Sequence, residues 1–157
     1  MNKRGQIDIS FGMIFSIILI IAVVGVAFYV INNFIELKKC TEIGLFYDDL
    51  NKYIDEAWQS TIHKDTFRGV LPSGIDIVCF GDINQAPQEY NDIKKSFINS
   101  NGNVFLYPVQ KACDASLSSI KLEHVKSDNF FCVKVEDSKI ALKTEKAQFE
   151  ALVTLNP

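Results

Sequence analysis

The sequence predicts an α+β protein in which a long N-terminal helix packs on a small antiparallel β-sheet with one further short helix. Three patterns carry this reading. Residues 9–35 form a run of 27 without a charged side chain. Beyond it, apolar or small residues recur at alternating steps of three and four through Cys40, Ile43, Tyr47, Leu50, Ile54, Ala57 and Thr61. That spacing lays one stripe along a helix. From Thr66 onward the period shortens, and Gly69, Pro72, Gly74 and Gly81 punctuate short alternating runs.

The elements follow in order. At about 1.5 Å rise per residue, the uncharged run reaches about 40 Å, more than the ~30 Å hydrocarbon core of a bilayer. Residues 9–35 therefore read as a transmembrane helix, with residues 1–8 as its basic flank. Neither a Pro nor a Gly pair interrupts the chain from Asn32 to Ile62, so residues 36–64 continue the helix in amphipathic form. Its other faces hold Glu42, Asp48, Asp49, Lys52, Asp55 and Glu56. Residues 65–157 make the α+β domain. Within it, residues 75–80 alternate partly as a strand, and residues 87–100 read as a helix with Pro87 in its first turn. Asn101-Gly102 turns the chain into a strand at 104–107, and another follows at 120–125. Phe131, Val133 and Val135 alternate with Cys132, Lys134 and Glu136, and Asp137-Ser138 allows a hairpin into residues 140–143. Residues 149–155 close the chain as a strand or a short helix.

Charge and motifs narrow the function classes. Past Ile35 there are 14 Lys and Arg against 18 Asp and Glu, with no basic run beyond Lys38-Lys39 and Lys94-Lys95. A phosphate-backbone footprint is missing, so nucleic acid is not expected as a partner. His63 and His124 stand 61 residues apart outside any metal-ligand spacing, and both read as solvated surface imidazoles. No P-loop, G-x-S-x-G or G-x-G-x-x-G occurs. The carboxylate neighbours Asp48-Asp49 and Asp55-Glu56 point to different sides of a helix and read as solvated faces. The expectation is a non-catalytic protein with no cofactor, no metal and no small-molecule ligand. N-x-Ser/Thr is absent from the sequence, so the usual N-linked glycan is not expected.

Orientation rests on two observations. Lys3, Arg4 and the α-amino group precede the apolar run, which favours a cytoplasmic N-terminus. Cys40, Cys79, Cys113 and Cys132 all follow it, at intervals of 39, 34 and 19 residues, without a C-x-x-C pair. An even set of scattered cysteines suits disulfides in an oxidising compartment and argues against zinc. The domain is thus expected on the extracytoplasmic side of the cell membrane. Four cysteines allow three pairings. Cys79 shares the face of Ile75 and Ile77, Cys40 lies on the helix stripe, Cys132 alternates to the polar side, and Cys113 falls in a loop. That arrangement favours Cys40–Cys79 with Cys113–Cys132.

Processing is the last reading. The apolar run is about twice the 7–15 residues of a secretory h-region and no small-residue site follows it, so the helix is expected to stay. Ahead of it stands Lys3-Arg4-Gly5-Gln6. This string, directly before a long apolar helix, resembles the class III signal of archaeal type IV pilins and archaellins. The likeness covers roughly the first 30 residues and, more loosely, the helix that follows. It implies that a prepilin peptidase-like enzyme cuts the Gly5–Gln6 bond on the cytoplasmic face and leaves the helix to become a filament core. The fifth mature position, Glu in bacterial pilins, is Ser10 here, with Asp8 the nearest carboxylate. The resemblance implies a pilin-like subunit of a surface filament or pseudopilus-type assembly, with copies of itself or related subunits and the lipid bilayer as partners. The rival expectation is a single-pass, membrane-anchored protein-binding module of an envelope complex.

Overall fold

The structure is a computed structural model that describes residues 11–126 and 129–157. It is α+β, with a long N-terminal helix packed on antiparallel sheets and one further short helix. Two compact units divide the chain, Met1–Glu36 and Leu37–Pro157.

Helix α1 runs Phe11–Gln59. In the first unit every large apolar side chain from Phe11 to Ile35 is exposed. This stretch is long and apolar enough to cross a membrane. In the second unit α1 buries Ile43, Phe46, Tyr47, Leu50, Ile54 and Ala57 on one face. The expected stripe is therefore the inner face of the domain from Ile43 to Ala57, with Phe46 added to it, while Cys40 is half-buried and Thr61 lies exposed beyond the helix. The helix ends at Gln59, five residues before the boundary expected at 64. Its last carbonyls are met by a cation: Lys146 Nζ donates to Trp58 O and, at 2.8 Å, to Ser60 O. A positive charge there also complements the helix dipole.

Seven strands form two sheets instead of one. The first sheet has the order β1–β6–β7, from His63–Val70, Lys139–Lys146 and Thr154–Asn156. The second has the order β4–β3–β2–β5, from Ser119–Ile120, Val104–Tyr107, Ile77–Phe80 and Phe131–Lys134. Strand β1 corrects the sequence reading, which placed His63 and Lys64 in the helix. Only Phe67 and Gly69 of its eight residues are buried, so its own pattern is faint. It is fixed by pairing with β6 over its whole length, His63↔Lys146 to Val70↔Lys139. Gly69 is required at its inner position, because a Cβ there would strike the Phe46 and Phe67 rings.

The expected helix at 87–100 is shorter than its pattern. Helix α2 covers Asn91–Ser96 after a 3₁₀ turn at Gln88–Tyr90, and its apolar spacing still buries Ile93 and Phe97. The strand expected at 120–125 stops at Ile120. Asn103 takes over the Leu122 backbone, accepting its N–H at 2.7 Å and donating to its carbonyl at 2.9 Å. His124 then bends the chain with a φ of +62°. Asp137 and Ser138, both at positive φ, close the two-residue turn between β5 and β6. Glu136 and Lys139 pair across it, and then the strands part into different sheets.

The core has two layers. One lies between the α1 stripe and the facing sides of both sheets, including Phe67, Leu142, Val78, Phe80, Val104 and Leu106. The other lies on the far side of the second sheet, where Ile83, Ile93 and Phe97 cover Cys79 and Phe105. Tyr47 crosses the first layer and donates its hydroxyl to Leu117 O at 2.7 Å. Burial pushes its phenol well above the ordinary range, so it remains a donor. Buried Thr144 is likewise satisfied: it donates to Asp65 O at 3.0 Å and lies 3.2 Å from Tyr53 Oη and 3.1 Å from His63 Nε2.

Candidate functional site: an exposed apolar helix and two disulfide staples

Gly5 and Gln6, the expected cleavage pair, lie outside the described residues. The four cysteines form two disulfides, Cys40–Cys113 and Cys79–Cys132. This overturns the expected pairing of Cys40 with Cys79 and of Cys113 with Cys132. The reason is a face error on β2. Its inward residues are Val78 and Phe80, whereas Ile77 and Cys79 turn toward the second core layer. Ile75 lies before the strand and belongs to the first layer, so it does not share Cys79's face. In the sheet register Cys79 stands directly opposite Cys132, with Cα atoms 4.0 Å apart. Cys40 is left on the flank of α1, where the exposed loop residue Cys113 meets it. Each bridge thus ties a different pair of elements: one clamps α1 to the loop after β3, the other clamps β2 to β5.

The C-terminal end of α1 carries a second cluster, whose histidine is far from a free surface imidazole. His124 stacks on Trp58 with ring centroids 3.8 Å apart and an interplanar angle of 10°. Its Nδ1 lies 3.1 Å from Asp55 Oδ1, and Trp58 Nε1 donates to Ala151 O at 3.0 Å. His63 is also engaged, through Thr144 and an edge-on contact with Tyr53. Sequence reasoning missed both partners because they lie 69 and 81 residues away. The stack tethers the 121–126 segment to α1. His124→Asn keeps a residue that tolerates the left-handed backbone while removing the ring. It is expected to cost about 1 kcal/mol and to shift the emission of Trp58, the chain's single Trp, to longer wavelength. An unchanged spectrum would show that the stack does not persist in solution.

Three surface indentations share one lining residue. Arg68 lines an open cleft of about 770 Å³ with Val133, Lys134 and Lys139, a shallower one with Tyr53 and Glu56, and a small pocket with Leu45 and Val70. The first of these clefts mixes cations with Glu136 and Asp137, and its lining includes no His, Cys or Ser. No group of three or more metal-ligating side chains occurs among the described residues. These surfaces can hold another molecule by shape and charge, and they present no assembled nucleophile with its base. Set against known proteins, the chain matches no family model, no curated protein and no solved structure.

Proposed function

We propose that this chain is a pilin-like, membrane-anchored subunit of a surface filament or pseudopilus-type assembly. In this role it is non-catalytic, with its N-terminus cytoplasmic and its domain outside. The observation that carries the reading is the division of labour along α1. One uninterrupted helix is apolar on all sides in its first part and amphipathic in its second, where it forms the spine of the domain. Large apolar side chains that are exposed from Phe11 to Ile35 need lipid or other helices around them. A filament core made of such helices supplies both in turn, first the bilayer and then neighbouring copies. Two disulfides in the small domain support its extracytoplasmic placement, since such bonds persist in oxidising compartments.

Processing at Gly5–Gln6 tests the reading. Protein purified from its own host's membranes is expected to begin at Gln6 by mass spectrometry. Gly5→Val should block the cut, since a β-branched residue crowds the extended backbone that a protease grips. The uncut form keeps Lys3 and Arg4, and moving those charges into a bilayer or a helical core costs about 2.5–3.5 kcal/mol each. It should stay in the membrane and fail to assemble. Wild-type protein that starts at Met1 or Asn2 would remove the pilin-like reading and leave a plain anchor with a binding module.

A further inference from the structure

Phe149 breaks two rules at once. Its side chain is 95% exposed, and its φ of +76° puts a bulky residue in the left-handed region. It occupies the third position of a turn closed by Glu150 N–H to Ala147 O at 3.1 Å, where Gly or Asn is the usual choice. The turn is held from several sides. Ala147 N–H donates to Glu150 Oε2 at 3.1 Å, and Trp58 Nε1 fixes Ala151. A strained backbone that the surroundings enforce, and that displays an aromatic ring to solvent beside exposed Leu152, has the character of a contact point.

The same domain carries a matching hollow. Leu45, Phe46 and Val70 line a pocket of about 240 Å³ at the α1–β1 junction, rimmed by Glu42, Asp49 and Arg68. Phe46 is its buried floor, while Leu45 and Val70 are 57% and 63% exposed. An apolar cavity of about 150 Å³ admits benzene, so this one has room for a phenyl ring. Arg68 forms no salt bridge with any described residue, and Glu150 follows the ring that would enter.

We propose that Phe149 of one copy seats in the Leu45–Phe46–Val70 pocket of a second copy, with Glu150 facing Arg68. Knob and hollow lie at different levels along α1, so between copies with parallel helices they cannot engage reciprocally, and the contact runs head-to-tail from copy to copy. The Phe149 turn is tied to Trp58, and Leu45 lies 13 residues earlier on α1. With parallel helices, successive copies are offset by about 20 Å along α1. The inference rests on the filament reading and specifies how its domains meet.

The test uses the full chain in its own membranes, with a photoreactive benzoylphenylalanine in place of Phe149. Irradiation should give an adduct of twice the chain mass, with the cross-link in the peptides that hold Leu45 or Val70. Adding Val70→Glu, at an exposed site that tolerates charge, should cut the yield about tenfold or more. In a separate variant, Phe149→Asn should leave the melting temperature no lower, because Asn tolerates the left-handed backbone, yet abolish sedimentable assemblies. Filaments without the 149-to-45/70 adduct would overturn this contact and spare the filament reading. The adduct without filaments would support the contact and overturn the filament. Adducts to an unrelated protein alone would overturn the contact in favour of a different partner.

Discussion

Leu50→Asp and Ile54→Asp are each expected to cost the Leu37–Pro157 domain about 3–5 kcal/mol, a large share of the 5–15 kcal/mol that a domain has. Both side chains are fully buried on the α1 face that packs against the two sheets. An aspartate there loses the apolar contacts of the original residue and leaves a carboxylate without a cation or donor within the layer. The buried hydroxyls of Tyr47 and Thr144 are already committed to Leu117, Asp65, Tyr53 and His63. Asp49→Ala changes an exposed neighbour one residue away and should move stability by no more than about 0.5 kcal/mol. Urea unfolding of the full chain in detergent, followed by Trp58 emission, measures all three. If the three variants unfold at the same midpoint, the α1 stripe does not face the sheets.

The contrast between Leu50 and Asp49 was legible in the sequence because helical periodicity is a local property read over several turns. The same holds for β2 and β3, whose apolar runs stand between turn residues. What was not legible depended on distant partners. Strand β1 has a mostly polar string, and its eight pairings with β6 come from residues 69 to 83 positions later. Leu122 has an apolar strand-like setting, yet a single side chain, Asn103, captures its backbone. Cys79 shows how small an error redirects a site. The alternation of Ile77 and Cys79 was right, but extending it back to Ile75 crossed the start of the strand, and the face was assigned to the wrong layer. The proposed processing motif, Lys3-Arg4-Gly5-Gln6, is by contrast a local string whose residues are neighbours in the sequence.

The corrected pairing predicts that the two disulfides differ in reactivity more than in stabilising power. They close segments of 73 and 53 residues, for which loop-closure entropy gives about 4 kcal/mol each. Loop length therefore cannot distinguish them, and burial does. Cys113 is exposed in its loop, so a thiolate reagent can reach the Cys40–Cys113 bridge in the folded protein. Cys79 is fully buried beneath Ile83, Ile93 and Phe97, and its partner Cys132 is half-buried, so this bridge is less open to attack than the one with exposed Cys113 until the second core layer opens. Denatured, non-reduced protein from native membranes should show no free thiol on labelling. Brief mild reduction of the folded protein should then release two thiols, mapped to Cys40 and Cys113, while Cys79–Cys132 survives. Removing the buried bridge with Cys79→Ala and Cys132→Ala should cost about 2–5 kcal/mol and make the remaining bridge easier to reduce, because local opening becomes more frequent. Release of all four thiols at one rate would mean that the second layer gives no protection. A cross-linked peptide joining Cys40 to Cys79 would overturn the pairing itself, and with it the assignment of Cys79 to the face turned away from α1.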